Sequence, residues 1–129
     1  MARSRTRGFS LIEIIIAISI MGVMLLLLQA VLRSTALARM AKNQGIATAI
    51  ARDELESLRS SGYENLPENG PFPNVLLSTL PSATTTLTVS AYNTETKQVT
   101  VSVVWKDPGI SASSTVTLST LITQTGGLP

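Results

Sequence analysis

The chain has 129 residues and contains neither Cys nor His, which bounds it to one domain at most and excludes structural disulfides, Cys/His zinc sites and His-dependent triads. Its formal net charge is +2, but Arg3, Arg5 and Arg7 are three of the ten basic residues; without them seven remain against eight acidic ones, a net charge of about −1. A nucleic-acid partner is therefore not expected, and the 4 % of aromatic residues supplies no base-stacking surface.

The first element is an apolar run from Phe9 to Leu28, interrupted only by Ser10, Glu13 and Ser19. Twenty helical residues rise about 30 Å, the thickness of a bilayer's hydrocarbon core. Arginines precede the run and none follows at once, which predicts a cytoplasmic N-terminus with the rest of the chain outside. A conventional secretory signal has a shorter apolar core, and the small-x-small triplet Ala36-Leu37-Ala38 lies inside what reads as a continuing helix. A plain uncleaved anchor is the other alternative. Glu13 fits neither well, because a carboxylate in lipid is costly unless neutralised. Ser10-Leu11-Ile12-Glu13 fits a capping box, in which Ser10 would cap the Glu13 N–H and the glutamate would reach back. Glu13 can instead meet a positive charge on a neighbouring subunit.

Helical periodicity continues past the span. Val31, Leu32, Ala36, Leu37, Met40 and Ala41 keep it, and Ala47, Ile50, Ala51, Leu55 and Leu58 resume it after Gly45, where a bend is expected. Arg52, Asp53, Glu54, Glu56 and Arg59 decorate the other faces as a solvated cluster, with Arg52/Glu56 and Glu56/Arg59 at ion-pair spacing. Arg59 suits a helix C-terminus and Gly62 an αL cap, which ends the helix at about 61. Residues 62–83, with four prolines, read as an irregular connection. A period of two then sets in: Leu87, Val89 and Ala91; Val99, Val101, Val103 and Trp105; and Val116, Leu118 and Ile122, interrupted by Thr120. Asn93–Thr96 and Lys106–Gly109 are the expected turns. The sheet spans 84–122, and its apolar face needs the Ala47–Leu58 stripe as cover, with Trp105 as a core anchor. The fold class is α+β.

Arg3 to Leu28, RSRTRGFSLIEIIIAISIMGVMLLLL, closely resembles the prepilin signal of type IV pilins and pseudopilins. The resemblance implies a pilin-like fold, with one long N-terminal helix on a small three-stranded antiparallel sheet. It implies cleavage between Gly8 and Phe9 by a prepilin peptidase, N-methylation of Phe9, and an assembly role for Glu13. The leader charges Arg3, Arg5 and Arg7 would hold the cut at the cytoplasmic surface. Residues 1–8 would be a cleaved leader, 9–28 the transmembrane and filament-core helix, and 29–129 an extracytoplasmic domain. More weakly, ARDELESLRSSGYENL at 51–66, VTVSVVWKD at 99–107 and TVTLSTLI at 115–122 look like V-type minor pilins. The chain departs from many major pilins in lacking a proline near the end of the apolar run and a C-terminal disulfide.

The function implied is a minor type IV pilin, a structural subunit that assists initiation, assembly or modification of a pilus. An I-type minor pseudopilin of a type II secretion system is the alternative, and DNA-uptake pili are a variant. Implied partners are the prepilin peptidase/methylase, other pilins or pseudopilins, the inner-membrane assembly platform and membrane lipid. The location would be the bacterial inner membrane, single-pass, and then the pilus or pseudopilus. No enzyme activity, catalytic residue, cofactor or metal site is expected.

Overall fold

A computed structural model describes residues 8–125; the leader arginines Arg3, Arg5 and Arg7 lie outside the described residues. The order of elements is a long helix α1 (Leu11–Ser61), two short 3-10 turns (Tyr63–Asn65 and Val75–Thr79), and strands β1 (Thr84–Ala91), β2 (Thr96–Trp105) and β3 (Ser114–Thr123). The strands form one antiparallel sheet in the order β1-β2-β3. A long N-terminal helix packs on a three-stranded antiparallel sheet, the α+β, pilin-like arrangement expected from the pattern.

The chain divides into two units, Met1–Arg39 and Met40–Pro129. In the first, every described residue is exposed, including the whole apolar run. α1 is long and apolar enough to cross a membrane, and none of its most apolar 18-residue window is buried. Ser19 Oγ and Thr35 Oγ1 donate to the Ile15 and Leu32 carbonyls at 2.8 and 2.9 Å. Both hydroxyls are thus satisfied within the helix, and neither is left unpaired in an apolar surrounding.

The second unit has its own core. Ala47, Ile50, Ala51, Leu55 and Leu58 of α1 are buried against Leu87, Val99, Val101, Val103, Trp105 and Ile122 of the sheet. The helix stripe has the 3.6-residue period and the strand stripes the period of two that this face-to-face packing requires. The irregular connection also enters the core, through Phe72 and Leu80. Phe72 is tied to β1 through the Thr85 hydroxyl, and Pro81, next to Leu80, accepts from Lys106 N–H just past β2. Ala91 is exposed, against expectation; it forms the last pair of the β1–β2 register, with Lys97.

Helix α1 runs through Gly45 without interruption. It ends at Gly62, where φ is +77° and ψ 173°. That positive φ is open to glycine alone at no steric cost, although the ψ lies outside the αL region expected for the cap. Asn65 Nδ2 covers the Ser61 carbonyl at 3.0 Å, satisfying one of the free acceptors at the helix end. Asp107 C=O accepts from Ile110 N–H at 3.2 Å, with Pro108 and Gly109 between them and Gly109 at φ +83°. This is the arrangement of a type II turn.

Candidate functional site

At the N-terminal end, Gly8, Phe9 and Ser10 precede the helix and are exposed, Phe9 at 81 %. The bond between Gly8 and Phe9 is thus in non-helical, accessible backbone. A Cβ added at Gly8 would meet nothing within 4 Å, and its φ is not in the left-handed region. Packing within the chain therefore does not call for a glycine at this position.

The capping box is not formed. The Ser10 carbonyl, not its hydroxyl, accepts from Glu13 N–H at 3.0 Å and Ile14 N–H at 3.3 Å. Leu11 is already helical, so these are the first backbone bonds of the helix itself. Among the described residues, the Glu13 carboxylate has no hydrogen-bond or ion-pair partner. It sits exposed in the first turn of α1, within a surface that is otherwise apolar.

Residues 3–28 match the family model of the prokaryotic N-terminal methylation motif. The match supports a type IV pilin-like prepilin signal. It covers Gly8, Phe9 and Glu13, together with the leader arginines that precede the described residues. None of the curated proteins and none of the solved structures matches the chain. The motif supports a type IV pilin or pseudopilin, a structural class of protein that is held in a membrane and processed by a prepilin peptidase.

The second unit holds a polar cluster that pattern reading missed. Asp107, 4 % exposed, accepts from Asn43 Nδ2 at 2.5 Å through Oδ1 and from Trp105 Nε1 at 3.1 Å through Oδ2. Asn43 is 6 % exposed and Trp105 3 %. The cluster ties the helix to the end of β2 across 64 residues of sequence. Its one visible signal was a polar residue, Asn43, one turn ahead of Ala47 on the core stripe. A cleft of about 290 Å³ beside it is lined by Met40, Gln44, Trp105, Asp107, Ser114 and Thr115. Both Asp107 oxygens are engaged within the fold, so the cluster holds helix to sheet.

The charged helix face is solvated at Arg52, Asp53, Glu56 and Arg59. Arg59 pairs with Glu56 at 3.8 Å, and its Nε and Nη2 donate to Thr120 Oγ1 at 3.2 and 2.7 Å. That explains the break in the third apolar stripe, where a hydroxyl receives the arginine. No Arg52–Glu56 pair forms among the described residues. Glu54 departs from the expected exposed cluster: it is half-buried, and burial and then the neighbouring Asp53 charge raise its carboxyl above the ordinary value of 4.5. Among the described residues there is no group of three or more acidic side chains placed to hold a metal ion.

Proposed function

We propose that this chain is a minor type IV pilin, cut between Gly8 and Phe9, N-methylated on Phe9, and then assembled through its N-terminal helix. The observation that carries the proposal is an exposed apolar helix surface bearing one unpartnered carboxylate, Glu13, within the matched motif. A charge at the centre of a bilayer-spanning helix costs about 3 kcal/mol on insertion scales, less towards the end. A defined counter-charge offsets that cost and selects a register.

The counter-charge is the α-amino group of Phe9 on a neighbouring subunit, created by the cut. Phe9 and Glu13 are about 6 Å apart along a helix axis, so an axial offset of about one turn matches amine to carboxylate. Arg3, Arg5 and Arg7 hold the scissile bond at the cytoplasmic surface of the inner membrane, and Gly8 leaves that bond unobstructed. The chain's own packing places no demand on Gly8, and an outside enzyme supplies one. In lipid the Phe9–Leu28 surface is already out of water, so packing against like helices and charge matching favour association there. Once the helix has left the bilayer, keeping that surface from water holds it in the fibre at about 25 cal/mol per Å². Packing and charge matching select the neighbour. The small sheet and the absence of Cys suit an accessory rather than a major subunit.

The test is Glu13→Val. The variant is expected to be inserted and processed normally but to enter filaments poorly, measured as the ratio of filament-borne to membrane-borne protein. Incorporation at the wild-type ratio would remove the assembly role of Glu13.

A further inference from the structure

The two ends of the second unit differ in charge and in apolar exposure. Asn43 of α1 is bonded to Asp107, just past β2. The Met40 end of the helix therefore lies where β2 ends and β1 and β3 begin, at the pairs Thr84↔Val104 and Trp105↔Ser114. At the opposite end, Lys97 Nζ donates to the carbonyl of Tyr63, just past α1, at 3.3 Å.

The Met40 end is basic. Lys42 and Lys106 each stand one residue before a member of the Asn43–Asp107 pair. Both are exposed, and among the described residues neither ammonium has a partner. Asp107 is the one acid there, and it is 4 % exposed and held by two donors. Asp53, Glu54, Glu56, Glu64, Glu68 and Glu95 belong to the rest of the helix and to the far half of the unit.

The Val75–Thr79 turn belongs to the Met40 end as well. Before it, Phe72 exchanges bonds with Thr85 at the start of β1; after it, Pro81 accepts from Lys106 N–H at 3.1 Å. The turn therefore leaves from this end and returns to it, and it carries Val75 at 90 % and Leu76 at 38 % exposure. Its polar groups are paired internally. Asn74 Oδ1 accepts from Leu76 N–H at 2.9 Å, and the Asn74 and Leu77 carbonyls accept from Leu77 and Leu80 N–H at 3.2 Å each. The Ser78 and Thr79 hydroxyls donate to the Val75 and Leu76 carbonyls at 3.1 and 2.6 Å. Backbone groups paired in this way can leave water at little cost, the condition for entering an apolar layer.

We propose that this end of the unit docks on the surface of the membrane that holds the chain. Val75 and Leu76 enter the interfacial layer, and Lys42 and Lys106 meet anionic phospholipid headgroups. The inference rests on the membrane-anchored reading above. Only residues 29–39 separate the apolar run from this unit, and fully extended they reach at most about 40 Å. Docking is thus intramolecular, so a few weak contacts suffice. The connecting residues add Arg33 and Arg39 and no acid. A neighbouring copy is a poorer occupant: copies anchored in one membrane turn the same basic end toward it, so like charge meets like.

The test uses the full chain at low density in phosphatidylcholine vesicles with and without phosphatidylglycerol. The chain has no Cys, so Val75→Cys, Tyr92→Cys and Met24→Cys each carry a single nitrobenzoxadiazole label. Tyr92, 64 % exposed in the turn between β1 and β2, is the control at the far end. Lipid with a nitroxide on its acyl chain should quench the label at 75 and 24 but not at 92, and phosphatidylglycerol should increase the quenching at 75. Lys106→Gln should lower the ratio of quenched to unquenched label at 75 about fivefold, the scale of one basic residue at an anionic surface. Arg52→Gln, which removes the same charge elsewhere, should leave that ratio unchanged. Unchanged Trp105 emission before labelling would show that each variant keeps its fold. Quenching at 24 without quenching at 75, equal quenching at 75 and 92, or indifference at 75 to both phosphatidylglycerol and Lys106→Gln would overturn the docking alone. So would shielding of position 75 that grows with protein density instead of phosphatidylglycerol, which would assign this end to a second copy. Absence of quenching at 24 would overturn the anchored reading and the docking together.

Discussion

Replacing Asp107 with Ala removes the acceptor shared by Asn43 and Trp105 and leaves an amide and an indole N–H buried at 6 % and 3 % exposure. A hydrogen bond to a charged group contributes about 1.5–3 kcal/mol, and a buried donor left unpaired costs about 1–3 kcal/mol. The two overlap in one substitution, and water entering the adjoining cleft at Gln44 and Ser114 relieves part of the penalty. A net loss of about 3 kcal/mol follows. For a unit of this size each kcal/mol lowers Tm by about 4–8 °C, so the expected fall is about 15 °C. Trp105 is the single tryptophan, so its emission during thermal unfolding reports the cluster directly. A double-mutant cycle with Asn43→Ala should give a coupling of at least about 1 kcal/mol. A Tm within about 3 °C of wild type, or additive effects in the cycle, would show that the cluster does not hold helix to sheet.

Ile50, fully buried, should lose about 2–5 kcal/mol on truncation to Ala, whereas Val75→Ala at 90 % exposure should stay within about 0.5 kcal/mol, both measured by urea denaturation. Gly62→Ala forces a Cβ into a positive φ and should cost about 1–2 kcal/mol by the same measurement, although space for the methyl is open. Glu54 has a raised folded-state pKa, so its protonated form suits the fold better than its charged form. Its favourable contribution is fully present below the ordinary value of 4.5 and is lost as pH rises through the raised one. Glu54→Gln should therefore be more stable than wild type at pH 7 and match it near pH 4, and denaturation midpoints that diverge instead on acidification would reverse the assignment.

Periodicity made the helix stripe and the sheet stripes legible, because Ala47, Ile50, Leu58, Val99, Val101 and Val103 each repeat at the spacing of the element that buries them. Thr120 looked like a flaw in such a stripe; it is the residue that receives Arg59, a contact across 61 residues that no local pattern encodes. Asn43 and Asp107 were hidden for the same reason, since each is polar and becomes a core residue only through its distant partner. Phe72 and Leu80 sit among prolines and turn residues, where period gives no signal. They enter the core through contacts with residues distant in sequence, Phe72 beside Thr85 of β1 among them. The capping box failed at the start of α1 because the Ser10 backbone carbonyl already takes the Glu13 N–H. At the N-terminal segment the pattern was legible for a different reason: Gly8, Phe9 and Glu13 lie together in a short stretch whose residue types do not answer to packing within this chain.

The most direct test of the account is the intact mass and N-terminal residue of the protein recovered from membranes. The prediction is a chain that begins at N-methylated Phe9, with residues 1–8 absent, and that reverts to an uncut N-terminus when the prepilin peptidase is removed. A chain beginning at Arg39, the product of cleavage after Ala36-Leu37-Ala38, would contradict it, as would an uncut chain in cells that process other prepilins.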